Sequence, residues 1–93
     1  MEESKLIHIR DFYLPVITVL KDLRGRAHIE EIYEFFQSHY RSRLDQSFLI
    51  ETKDSDIKWR DYINRAGYQL VKRGYIRRAG RGFWELTNKD YPL

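Results

Sequence analysis

The sequence predicts an α+β fold, mainly helical: a winged helix-turn-helix of three helices plus a C-terminal β-hairpin wing. Three observations carry this. Apolar residues recur at helical spacing in three successive stretches. The segment from Tyr75 to Thr87 then reads as two short strands around "AGRG" at 79–82. Positive charge is concentrated on the third helical stretch and the hairpin, the two parts such a fold turns toward DNA.

The first helix is expected over residues 12–23, with Asp11 as its N-cap and Pro15 tolerated in the first turn. Leu14, Val16, Ile17 and Leu20 supply its core-facing stripe. Residues 1–10 read as a polar start, loose until Ile9. "RGRA" at 24–27 breaks the pattern, with room for a one- or two-residue strand at Ala27-His28. The second helix spans about 29–40, where Ile29, Ile32, Tyr33, Phe36 and Tyr40 share a face. Glu30, Glu31 and Glu34 sit early in it, where the helix dipole favours negative charge. This acidic face should point away from nucleic acid. Residues 41–56 read as a long loop with a short turn of helix, around one apolar knot, Phe48-Leu49-Ile50.

The third helix should follow Ser55 or Asp56 as cap and run to about Arg73. Trp59, Ile63, Ala66 and Leu70 fall on one face at about 100° per residue. Lys58, Asp61, Asn64, Arg65, Tyr68 and Lys72 fall on the opposite one. Gly74 suits a left-handed cap. The strands are expected at 75–78 and 83–87, with Trp84 and Leu86 toward the core and Phe83 and Glu85 away.

Composition narrows the function classes. The 93 residues make one domain, 42% hydrophobic and 15% aromatic, able to bury roughly 60–65% of its unfolded surface. There is no cysteine, so neither a disulfide framework nor a thiolate zinc site exists. No apolar run approaches a membrane span of roughly 20 residues, and the start lacks a signal-peptide pattern. The expected compartment is the cytoplasm, with no membrane partner. The net charge is +3, but Lys58 to Gly82 holds eight Lys or Arg against Asp61 alone. That window carries +7 and the remainder −4, the segregation of a polyanion-facing surface.

The strings "LPVITVL" and "A...L...GYI....RGFWELT" are similar to the N-terminal domain of Mrr-type restriction proteins. The matching positions are Leu14, Pro15, Ala66, Leu70, Gly74, Ile76, Arg81, Gly82, Trp84, Leu86 and Thr87. This chain has Arg65 where the family often has Trp, and its own helix tryptophan, Trp59, stands six residues earlier. The last 30 or so residues also resemble the winged helix of methyladenine-dependent, Dpn-type restriction endonucleases, in Ile63, Leu70, Ile76 and "GRG" at the wing. The resemblance implies a winged helix that delivers a nuclease, in cis or in trans, to modified double-stranded DNA.

The residues themselves assign roles within such a fold. A third helix in the major groove can distinguish all four base pairs. Arg65 is the first choice for a base edge, its planar fork suiting guanine; Asn64 suits adenine. Asp61 either accepts from a cytosine amino group or holds Arg65, four residues on. Tyr68 is a further base contact or a surface residue. Lys58, Arg60, Lys72, Arg77, Arg78 and Arg81 are assigned to phosphates, which bring affinity without sequence information. Trp59 and Tyr62 are candidates for a modified-base pocket, Trp59 alternatively for the core.

No catalytic constellation stands out. His8, His28 and His39 lack metal-ligand spacing, and "DSDIK" at 54–58 is ordinary helix-start composition. Neither enzyme activity, metal nor cofactor is expected of this chain. The expected function is a double-stranded DNA-binding module, the targeting domain of a modification-dependent restriction endonuclease. The alternatives are a transcription-regulator winged helix or a protein-protein interaction module on the same scaffold.

Overall fold

The structure, a computed structural model, describes residues 5–44, 48 and 55–92, with residues 55–57 described by backbone alone. Leu49 and Ile50 of the apolar knot, Asp54 of "DSDIK" and the side chains of Ser55 and Asp56 lie outside the described parts. A 3-10 turn, Ile9–Phe12, leads into helix α1, Tyr13–Asp22. Strand β1, Arg26–His28, precedes α2, Ile29–Tyr40, and a second 3-10 turn, Arg41–Arg43. Helix α3, Ser55–Lys72, is followed by β2, Ile76–Gly80, and β3, Phe83–Leu86. The three strands form one antiparallel sheet in the order β1-β3-β2. This is the expected layout of three helices with a C-terminal hairpin, and the short strand at Ala27-His28 is present one residue longer.

The core follows the apolar periodicities. Val16, Ile17, Val19 and Leu20 of α1 meet Ile32, Tyr33 and Phe36 of α2 and Trp59, Ile63, Ala66 and Leu70 of α3. Ala27, Ile76 and Trp84 close it from the sheet side. Aromatic rings form its centre: Phe36 stacks on Phe12 at 5.6 Å and on Trp59 at 5.7 Å between centroids. Leu14 departs from the stripe expected of α1. It is 43% exposed, because the helix turns Pro15 inward instead.

The start of the chain is also tighter than expected. Leu6 is buried, bridged to Leu44, and its amide donates to the Arg43 carbonyl. Asp11 is not the N-cap of α1, since the 3-10 turn begins two residues before it. Its Oδ2 instead reaches back to accept from the amides of His8, at 2.8 Å, and Ile7, at 3.1 Å. Burial pushes the Asp11 pKa up, but these two hydrogen bonds and the charges of His8 and Arg10 outweigh it, and the net shift is downward.

His28 caps α2. Its Nδ1 accepts from the Glu30 amide, while Glu31 accepts from the His28 amide. The reciprocal pattern satisfies two helix-end donors.

Helices α1 and α3 end alike. Gly25 donates to the Leu20 carbonyl and Arg24 to Lys21; Tyr75 donates to Leu70 and Gly74 to Val71. Both are Schellman closures with a left-handed residue after the cap. Gly74 fills that place at φ 85° after α3, and Arg24 fills it at φ 69° after α1.

The hairpin is fixed to α3 at two levels. At its base, Thr87 Oγ1 donates to the Gly74 carbonyl and its amide to the Tyr75 carbonyl. Higher up, the Trp84 ring lies against Gly67. A Cβ built at Gly67 would stand 2.2 Å from Trp84 Cη2, so only glycine admits the ring there. Glycine in a helix interior costs about 1 kcal/mol relative to alanine, and this close approach is what it permits.

Two consequences are measurable. Gly67→Ala should lower stability by about 1–2 kcal/mol, overpacking outweighing the gain in helix propensity. In a Trp84→Phe background the same substitution should cost less, a coupling readable from urea midpoints in a double-mutant cycle. Asp11→Ala should cost about 1 kcal/mol at pH 7. An acid whose pKa is lowered on folding stabilises above its unfolded pKa, so the gap to the native sequence should narrow as pH falls below about 4.

Candidate nucleic-acid interface

Cross-strand register decides which wing residues face α3. Directly opposed residues of an antiparallel pair share a face. Ile76 opposes Leu86 and Arg78 opposes Trp84, so Arg78 lies on the face that packs toward α3. Arg77 opposes Glu85, which also opposes Arg26 across the sheet, all on the other face. There Arg77 Nε donates to Glu85 at 2.7 Å. The grouping of Arg77 with Arg78 and Arg81 as wing phosphate contacts is therefore corrected: strand alternation sends Arg77 to the opposite surface and gives it an acid.

The register slips at Ala79, and the chain turns through Gly80, Arg81 and Gly82. Gly82 has φ 77°, and a Cβ there would stand 2.7 Å from His28 Nε2. The Gly82 carbonyl accepts from the Ile29 amide at 2.8 Å. The wing tip is thus held against the start of α2 as well as supported by α3. On the outer face the Arg26 guanidinium lies 5.0 Å from the Phe83 centroid and reaches the Ala79 carbonyl.

Between α3 and the wing lies a cleft of about 760 Å³. Asn64, Arg65, Tyr68 and Val71 line it from the helix, and Arg78, Arg81 and Trp84 from the hairpin. Ile9, Ile29 and Gln69 also line it. Among the described residues, three arginines and no acid line it. Gly67 makes room by bearing no side chain where Trp84 crosses.

The helix residues assigned to base edges are differently committed. Arg65 Nε donates to Asp61 Oδ2 at 2.8 Å, with the Arg65 side chain largely in solvent and that of Asp61 about half exposed. Asp61 thus positions Arg65, the second of its two expected roles, through a contact weak enough to exchange for a ligand. Asn64 Nδ2 donates to the Tyr33 hydroxyl at 2.7 Å, which orients its amide. Tyr68 is 49% exposed, with the Lys72 ammonium 4.8 Å from its ring centroid.

The remaining assignments are dispersed. Lys58 lies over Phe48, and Arg60 over Tyr33 and Trp59. Neither of them, nor Lys72, lines the cleft. Trp59 is corrected from a modified-base pocket to the core: it is 4% exposed, stacked on Phe36 and edge-on to Tyr33. Tyr62 is likewise taken up by Phe12 and Phe48, so these two rings form no pocket open to a base.

Sequence reasoning missed Gly67, the His28 cap and the contribution of Val71 and Gln69 to the cleft. The signals were present: a glycine inside a helical pattern, and a His three residues before Glu31 at a helix start. Among the described residues no group of three or more His, Asp or Glu is placed to hold a metal, and no helix is long and apolar enough to cross a membrane. Burial raises the Tyr33 pKa above its ordinary 10.0, opposed by the Asn64 hydrogen bond and the Arg60 charge.

That opposition generates a prediction. A tyrosine whose pKa is raised on folding adds stability below about pH 10 that fades as pH climbs through the folded value. Asn64→Ala removes a donor that favours the phenolate, so the Tyr33 pKa should climb further, read from the Tyr33 Cζ shift in an NMR titration.

Comparison of the chain with protein-family models, with curated proteins and with solved structures returned no match.

Proposed function

We propose that the chain is a double-stranded DNA-binding module, with α3 entering the major groove and the wing resting on the backbone. The observation that carries this reading is the cleft between them, lined by Arg65, Arg78 and Arg81 and, among the described residues, by no acid. A surface where three arginines meet a single neighbouring carboxylate, Asp61 beside Arg65, keeps a net positive field that attracts a polyanion at long range. The exposed face of α3 adds Lys58 and Lys72, while the glutamates of α2, Glu30, Glu31 and Glu34, lie on a different helix and are exposed there.

We further propose that the module serves a modification-dependent restriction system by delivering a nuclease carried in cis or in trans. The support is the similarity to Mrr-type proteins at "RG.W.LT". The structure gives several of those positions architectural work. Thr87 ties the hairpin base to the end of α3, Trp84 seats the wing, and Gly82 clears His28. The similarity therefore supports the wing architecture more directly than any preference for a modified base.

Five assigned phosphate contacts remain after Arg77 is set aside: Lys58, Arg60, Lys72, Arg78 and Arg81. They predict a slope of log affinity on log salt of about −4.5 for duplex DNA. Arg78→Ala and Arg81→Ala should each make the slope shallower by about one and weaken all sequences alike. Arg77→Ala should leave the slope unchanged, and Arg65→Ala should change the preference among sequences. Fluorescence anisotropy with a duplex panel varying sequence and methylation, at two salt concentrations, tests all four. Failure to bind any duplex at low salt would overturn the reading in favour of a protein partner. Equal affinity for methylated and unmethylated duplexes would leave a sequence-reading regulator.

A further inference from the structure

A surface that only grips phosphates needs cations, not an apolar hollow. The cleft between α3 and the wing has both. Its volume, about 760 Å³, is within the range of pockets that enclose small organic ligands. Tyr68, Val71 and Trp84 give it apolar and aromatic walls, and Arg65, Arg78 and Arg81 give it positive charge. Asn64 and Gln69 add amide groups able to donate to and accept from a base edge. Tyr68 is half in solvent and its ring meets only the Lys72 ammonium among the described contacts, so one aromatic face is available for stacking. Aromatic walls, amides and arginines together match a nucleobase with its flanking phosphates, not the stacked interior of an intact helix.

We propose that this cleft takes one unpaired nucleobase from duplex DNA. The base stacks on Tyr68 beside Trp84, its edge meets Gln69 or Asn64, and its flanking phosphates meet Arg78 and Arg81. The inference rests on the duplex-binding reading and adds to it a preference for sites where a base is already out of the stack. An unpaired base enters without the cost of unpairing, so mismatched or bulged duplexes bind more tightly than intact ones.

The test uses the full chain and three duplexes of one sequence, titrated by fluorescence anisotropy at a single low salt concentration. One is intact, one carries a single unpaired adenosine, and one carries an abasic residue at that bulge. The expected result is about tenfold tighter binding of the adenosine bulge than of the intact duplex, within the range one base stacked on an aromatic ring supplies. The abasic bulge should bind like the intact duplex. Tyr68→Ala should abolish most of the preference while its thermal midpoint stays within a few degrees, since an exposed side chain contributes little to folding. Equal affinity for intact and bulged duplexes would overturn the proposal while leaving duplex binding in place. So would equal affinity for the two bulges, which would mean that a bent backbone is what is read. Undiminished preference in Tyr68→Ala would overturn it as well. Absence of binding to all three duplexes would overturn the duplex reading itself.

Discussion

The placement of the Trp84 ring against Gly67 is the contact on which the rest of the molecule's surface depends. It fixes the distance between the hairpin and α3, and that distance is the width of the cleft. It also sets the phase of the sheet. With Trp84 turned toward α3, its opposed neighbours Arg78 and Ala27 turn the same way, and Arg77, Glu85 and Arg26 turn outward. A single aromatic contact thus sorts the cations of the wing into those that face the cleft with α3 and those that do not. A helix that carries a glycine in its middle gives up about 1 kcal/mol of intrinsic stability for this arrangement.

Much of the fold was legible because it depends on period and on end signals. The α2 boundaries follow from the spacing of Ile29, Ile32, Tyr33, Phe36 and Tyr40. The end of α3 follows from Gly74, which adopts the left-handed cap expected of it. The buried face of α3 follows from the 100° projection of Trp59, Ile63, Ala66 and Leu70, all of which are in the core. What was not legible depends on contacts distant in the chain. Nothing local marks Leu6 as buried, because its partners are at Arg43 and Leu44. Asp11 has the composition of a cap, but the preceding 3-10 turn gives its carboxylate different amides to satisfy.

The site was legible as a set of charges and not as a geometry. Counting arginines in "YIRRAGRG" cannot separate Arg77 from Arg78, although a two-residue period fixes that they diverge. Their assignment to faces required knowing which face Trp84 takes. The bulge at Ala79 complicates the count further, since it shifts the pairing just before the turn. The aromatic residues show the same limit. Trp59 and Tyr62 flank the reading face in a helical projection, yet rings from the first 3-10 turn, from α2 and from Phe48 claim them. Tyr68, on the same helix, has no such neighbour among the described residues and remains outside the core.

The wing is bonded at both ends of its length. Thr87 secures the root to the end of α3, and the Gly82 carbonyl secures the tip to the first amide of α2. A hairpin pinned twice has little freedom to hinge. The gap beneath it is therefore a gauge of set aperture, made once when the chain folds. Whatever enters that gap has to suit a spacing already set, since no jaw closes on it.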